Sequence, residues 1–212
     1  MPWPTPQDYN EAIQTPQISF NDPDLKQGSV ETTHLGLPKA ITGGFASVYR
    51  LKCKNRDWAV RCFLREFQDQ QERYEAISRH LQLTKSPYIV GFEFQAQGIR
   101  VKGSWYPILK MEWVQGELLN SYIQKQQGKP EVFWELAKRW LTMIHALRSA
   151  GIAHGDLQHG NVVVVNGDFR LIDYDGMFVP SLKGKFSNEV GHRNYQHPQR
   201  TEFDFGPTID NF

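Results

Sequence analysis

Apolar and polar positions change rhythm three times along the chain. In "ITGGFASVYRLKCKNRDWAVRCF", residues 41–63, two runs rich in β-branched and aromatic residues flank a polar Lys-Asn-Arg-Asp turn, which predicts a pair of strands. With Asn55-Arg56 at the centre of that turn, Cys53 would face Trp58 and Cys62 would face Tyr49. Next, "QDQQERYEAISRHLQL" sets Tyr74, Ile77 and Leu81 at helical spacing. "YIVGFEFQAQ" and "YPILKMEWV" then predict two more strands, separated by Gly98 and Gly103. From Gly116 onward the period is helical: Pro130-Glu131 opens a helix with Leu136, Trp140, Ile144 and Leu147 on one face, and Gly151 stops it. Finally, "VVVVNGDFRLIDYDG" holds Asn166-Gly167 between two apolar runs, a strong hairpin signal.

Residues 1–39 are rich in proline and polar side chains. Thr5-Pro6 followed by Asp8 predicts a capped helix near 6–13, and the remainder is expected to pack over the domain as an extension.

Composition narrows the function classes. Lys+Arg 24 against Asp+Glu 23 gives a formal charge of +1, so no bulk field draws nucleic acid or an anionic membrane. No apolar run approaches the roughly 18 residues of a membrane span, and "MPWPTPQDYN" lacks the layout of a secretory signal. Two cysteines form no disulfide framework. A cytoplasmic protein with no nucleic-acid or membrane partner is the expectation.

The chemistry concentrates in "AHGDLQHGN", residues 153–161, between the long helix and the hairpin. Asp and Asn suit turns, so a turn alone would account for either residue. Asp156 and Asn161 stand five residues apart, however, and Asp173-Tyr174-Asp175 follows twelve residues after Asn161, across one hairpin. A carboxylate, an amide oxygen and a second carboxylate carried to one place suit a proton acceptor beside a hard metal ion. His159 lies in the same loop, where a lone histidine is more often a hydrogen-bonded structural residue than a ligand.

On these residues the chain resembles the protein-kinase-like superfamily, from about residue 40 to its end. His154-Gly155-Asp156 and Asn161 are similar to the family's H-R-D-x-x-x-x-N loop, and Asp173 to its D-F-G aspartate. The resemblance implies an α+β, bilobal kinase-like fold: an N-lobe antiparallel sheet with one helix over 40–115, and a mainly helical C-lobe over 116–212. "IDNF" resembles the D-x-W that opens the large lobe's central helix, so the C-lobe is expected to be partial. Also implied are ATP and Mg²⁺, a protein substrate, Asp156 as base, and Asn161 and Asp173 as metal ligands.

Other implied roles follow the same match. "ITGGFASVY" resembles the glycine-rich phosphate loop, keeping Gly43 and adding Gly44, while Ile41 and Ala46 occupy the outer glycine positions. "WAVRCF" resembles the A-x-K strand with Arg61 in the lysine's place, a swap that keeps charge but changes the fork. The helix glutamate position falls near Ile77, leaving Glu75 and Glu72 as the nearest acids, with Glu75 preferred. "LKMEWVQGELL" resembles the adenine hinge, with Met111 at the back of the pocket, Glu112 and Val114 in the hinge and Glu117 toward the ribose. Val48, Ala59 and Val163 would sandwich the base. "GHRNYQHPQR" resembles G-T-x-x-Y-x-A-P-E, with Gln199 replacing the glutamate.

The literal Asp204-Phe205-Gly206 follows no hairpin and reads as a turn. Gly155 removes the arginine through which a phosphorylated activation loop acts, and Gln158 replaces the lysine that steadies the transferred phosphate. Arg61, Ala46, Asp175 and Gln199 leave a pseudokinase module as an alternative to a serine/threonine kinase. Glycine after His154 leaves a small-molecule kinase of the aminoglycoside or choline type.

Overall fold

The computed structural model describes residues 2–66 and 69–211. The chain divides into two compact units: Met1–Tyr74 with Gly91–Trp113, and Glu75–Val90 with Val114–Phe212. Among the described residues, no helix is long and apolar enough to cross a membrane.

Unit 1 is a sheet with helices from the N-terminal segment. Its strands are β1 (Ser29–Val30), β2 (Ala40–Thr42), β3 (Ala46–Lys52), β4 (Asp57–Phe63), β5 (Phe92–Val101) and β6 (Ser104–Glu112). The order is β1-β3-β4-β6-β5, with β2 also on β3, and every pairing is antiparallel. Three short helices precede it: α1 (Pro6–Ala12), α2 (Pro16–Ser19) and α3 (Pro23–Lys26). The expected α1 forms with Thr5 as its cap, and Thr5 and Asp8 exchange a reciprocal capping box.

Strand alternation gives this sheet two faces. Tyr49, Leu51, Val60, Cys62, Ile99 and Ile108 share one face and are fully buried against Tyr9, Ile13, Phe20 and Leu25 of the N-terminal segment. The Tyr9 hydroxyl donates to the Phe63 carbonyl at 2.7 Å, and Tyr49 Oη donates to Asn10 Oδ1 at 2.7 Å. Residues 9–25 therefore supply part of this core. The other face carries Val48, Ala59, Arg61 and Met111, fixed by the pairings Val48↔Arg61 and Ala59↔Met111.

Two strand expectations are corrected. The β3–β4 register pairs Cys62 with Ser47 and Leu51 with Trp58, two residues from the predicted register. Cys53 N–H donates to the Arg56 carbonyl at 3.3 Å, so Lys54-Asn55 centres the turn instead of Asn55-Arg56. Both thiols are free, and burial pushes the Cys62 thiol far up. The β5 strand starts at Phe92 and runs through Gly98 to Val101, past the break that Gly98 predicts. Gly98 sits in a bulge between Gln95 and Ile99, and a Cβ there would lie 2.2 Å from the Ile108 side chain. The chain reverses instead at Lys102 and Gly103, both at positive φ (47° and 87°).

Helix α4 (Gln70–Thr84) forms where the periodicity places it. In unit 1 its Tyr74 stacks on Phe94, with centroids 5.5 Å apart. In unit 2 it buries Ala76 and Ile77, and His80 Nε2 hydrogen-bonds the Ala150 carbonyl at 2.7 Å.

Unit 2 also holds α5 (Leu119–Lys125), α6 (Pro130–Ser149) and a three-stranded sheet in the order β7 (Glu117–Leu118), β8 (Val162–Val165), β9 (Asp168–Leu171). Helix α6 ends as predicted at Gly151, φ +70°. The predicted β8–β9 hairpin turns on Asn166 and Gly167, both at positive φ. Trp140 of α6 meets Phe169 of β9 edge-on at 5.5 Å, which fixes the helix against the hairpin. Gly116 lets the chain pass β8, since a Cβ there would meet the Val164 carbonyl at 2.5 Å.

Candidate active site

The loop between α6 and β8 is held from several directions, all within unit 2. His154 is fully buried; its Nε2 hydrogen-bonds the Ile172 carbonyl at 3.1 Å, and its Nδ1 accepts the Asp156 N–H at 3.3 Å. Gly155 has φ +81°, and a Cβ there would lie 2.2 Å from the Gly176 carbonyl. Side chain and backbone geometry thus both demand glycine. Asp210 accepts the His154 and Gly155 N–H groups on its two oxygens, at 2.5 and 2.8 Å.

These contacts aim Asp156, whose side chain is nearly buried. Its Oδ2 accepts from Asn161 Nδ2 at 2.8 Å and from Gln158 Nε2 at 3.1 Å. Its Oδ1 accepts the His192 N–H at 2.7 Å. Asn161 Nδ2 also donates to the Asp156 carbonyl at 3.0 Å. With its amide nitrogen turned to Asp156, Asn161 keeps Oδ1 as the acceptor that a cation would require.

Across the hairpin, the Ile172 N–H donates to the Asn161 carbonyl at 3.0 Å, which brings the start of the 173–175 segment to Asn161. Asp173 itself adopts φ +67°, a conformation that few side chains tolerate. Tyr174 fixes it: the fully buried phenol donates to the Leu171 carbonyl at 2.6 Å and accepts the Val90 N–H at 2.8 Å. Burial pushes that phenol's pKa far up.

Oxygens of Asp173, Asp175 and Glu189 lie within 4.8 Å of one another. Three partly buried carboxylates form a hard-oxygen donor set suited to Mg²⁺. Asp175 stands out in the sequence. Glu189 does not, because only the loop returning toward Asp173 marks it.

In unit 1, four of the residues expected to hold nucleotide, Val48, Ala59, Arg61 and Met111, fall on one sheet face. Arg61 is 6% exposed and Met111 7%, while Val48 and Ala59 are half-buried beside them. Gly43 and Gly44 lie in the exposed β2–β3 turn with open space around each Cα, and neither has positive φ. The turn itself therefore needs no glycine. Glu112 is exposed at the end of β6, and the next residue, Trp113, donates its N–H to the Asp57 carbonyl at 3.0 Å.

In unit 2, Val163 is buried and Val114 half-buried, while Glu117 Oε2 pairs with Lys125 at 2.8 Å. Glu75 is exposed on α4, and Ile77 occupies the buried position. Asp204 lies outside the loop cluster, accepting from Thr201 N–H and Oγ1 in a local turn as expected. Those bonds hold its carboxyl below the usual range.

The protein kinase domain model matches residues 39–211. The chain belongs to that family. It is 26% identical over 180 residues to calcium-dependent protein kinase 26 of Arabidopsis thaliana, covering 79% of this chain and 36% of that protein. It is 31% identical over 87 residues to the mouse dual specificity protein kinase TTK, covering 38% of this chain and 10% of that protein. It is 22% identical over 169 residues to probable serine/threonine-protein kinase FPV212 of fowlpox virus, covering 73% and 54%. The kinase chain thus spans about half or less of each of these relatives. The loop 153–161, the β8–β9 hairpin and Asp173 follow one another in the order that the resemblance implies, whereas Arg61, Gly155 and Asp175 depart from that pattern.

Proposed function

We propose that the chain transfers the γ-phosphoryl group of ATP to a serine or threonine hydroxyl of a protein acceptor. The observation that carries this reading is the buried Asp156 carboxylate bonded at 2.8 Å to Asn161, in a chain whose family transfers phosphoryl groups. Asp156 accepts the hydroxyl proton as the acceptor oxygen bonds to the γ-phosphorus. The bond from that phosphorus to the β–γ bridging oxygen breaks, and ADP leaves with the electron pair. Asn161 Oδ1 and Asp173 would hold Mg²⁺, with Asp175 and Glu189 beside Asp173. When bound, Mg²⁺ neutralises phosphate charge.

In unit 1, Val48, Ala59 and Met111 offer an apolar surface to adenine, and Arg61 offers a cation to the phosphates. The Gly43-Gly44 turn lets backbone N–H groups approach them. In unit 2, Val114 and Val163 are apolar candidates for nucleotide binding and Glu117 is a candidate for the ribose.

Thermal stability measured with ATP, with and without Mg²⁺, tests the binding: a metal-dependent rise is expected, and its absence rejects the reading. Label transfer from γ-labelled ATP to casein, lost in Asp156→Ala, tests the chemistry. A second reading, a nucleotide-binding module without transfer, is favoured by Arg61 in the lysine's place. Metal-dependent binding with label transfer equal in wild type and Asp156→Ala would select it.

A further inference from the structure

His159 has no part in the chemistry proposed above, yet it is bonded across 36 positions of sequence. Its Nδ1 lies 2.5 Å from Tyr195 Oη, with ring centroids 5.5 Å apart. Tyr195 closes a short 3₁₀ turn, Arg193–Tyr195. Within it the Tyr195 N–H donates to the His192 carbonyl at 2.8 Å, and His192 Nδ1 accepts the Asn194 N–H at 3.3 Å. The His192 and Tyr195 rings meet edge-on at 5.6 Å. Residues 192–195 therefore form a stiff bar.

That bar touches the catalytic loop at both ends. At one end the His192 N–H holds Asp156 Oδ1, and at the other Tyr195 holds His159. Beyond the bar, Gln196 Nε2 and Arg200 Nη1 both donate to the Gly155 carbonyl, at 3.0 and 2.7 Å. Gly191 permits the approach at φ +82°, since a Cβ there would lie 2.9 Å from Asp156 Oδ1.

We infer that Tyr195 and His159 are positioning residues that act on Asp156 through His192. The phenol–imidazole bond sets the tilt of the bar, and the tilt sets the His192 N–H that orients the carboxylate. A carboxylate offers about four acceptor sites, so Asp156 held this way keeps room for an acceptor hydroxyl. Misplacement of a reacting group by about 1 Å costs on the order of 100-fold in rate, which makes one distant bond matter. The catalytic consequence rests on the phosphotransfer reading; the mechanical link does not.

Tyr195→Phe in the full chain keeps both ring contacts and deletes only the hydroxyl. Amide hydrogen exchange at His192 is expected to quicken by about tenfold, the equivalent of one lost hydrogen bond. Amides elsewhere in unit 2 should keep their rates. With casein as acceptor, kcat should fall by about tenfold while the KM for Mg·ATP holds. His159→Ala should reproduce both changes, and His159→Asn, which restores a polar partner, should recover part of each. Unchanged His192 exchange in Tyr195→Phe overturns the link, as does a uniform loss of protection throughout unit 2. A wild type that transfers no phosphate defeats the phosphotransfer reading, and the exchange measurement still decides the link.

Discussion

Lys110 Nζ lies 2.7 Å from Asp22 Oδ2, an ion pair 88 positions apart in sequence with both side chains under a tenth exposed. The ammonium also sits 4.3 Å from the Trp58 ring centroid. Asp22 Oδ1 caps α3 by accepting the Asp24 and Leu25 N–H groups, and Gln95 donates to Oδ2. One carboxylate therefore joins the N-terminal segment to β6. Burial pushes the Asp22 carboxyl up, but the bonds from Lys110, Leu25 and Gln95 outweigh it and leave the pKa below the ordinary value.

The sign of the pH dependence follows. A carboxylate with a depressed folded pKa stabilises the fold above its unfolded pKa, about 3.9, and that stability disappears as pH falls through the folded value. Asp22→Asn should flatten this part of the acid limb. It should also cost about 1–3 kcal/mol at neutral pH, because the buried Lys110 ammonium is left with only the exposed Asp24 carboxylate, at 3.4 Å. Chemical denaturation at pH 7 and below 4 measures both.

Asp210→Asn tests the support beneath the loop between α6 and β8. The amide keeps one acceptor oxygen for the His154 and Gly155 N–H groups and turns a donor toward the other. A loss of about 1–3 kcal/mol of stability is expected. Under the phosphotransfer reading, slower label transfer to casein should accompany it.

Gly155→Ala meets two penalties together. The residue would hold φ +81°, and its Cβ would press on the Gly176 carbonyl. Backbone cannot yield as a side-chain tip does, so destabilisation above about 2 kcal/mol is expected. Differential scanning fluorimetry should show a clear fall in melting temperature, and Gly43→Ala, in open space, should show almost none.

Arg61→Lys restores the family's usual cation on β4. Under the phosphotransfer reading turnover should rise, because a compact ammonium replaces a larger fork whose direction differs. Initial-rate measurements at saturating Mg·ATP give the comparison. An unchanged rate would show that Arg61 does not limit transfer.

Much of this architecture was legible in residue pattern. The Asn166-Gly167 hairpin, the Thr5 cap and the Gly151 stop are local devices, each written in adjacent residues, and each formed as expected. The β3–β4 register is not written in the turn, because Lys54, Asn55 and Arg56 are all plausible turn residues and only cross-strand packing of Tyr49, Leu51 and Val60 fixes which pair turns. Gly98 reads as a break in sequence but serves a bulge, a distinction set by Ile108 from the neighbouring strand.

In the candidate site, Asp156 and Asn161 were visible by spacing. Glu189 and the His159–Tyr195 bond were not, since they depend on where a long loop returns. The expectation that a lone loop histidine forms a structural hydrogen bond is met at His159.

The burial of Tyr9, Ile13, Phe20 and Leu25 has a practical consequence for anyone trimming this gene product. The family match starts at residue 39, and a fragment cut there would strip the lid from six wholly enclosed side chains on β3, β4, β5 and β6. Such a fragment should precipitate or bind hydrophobic dyes, and adding residues 2–30 back as a separate peptide should restore its solubility.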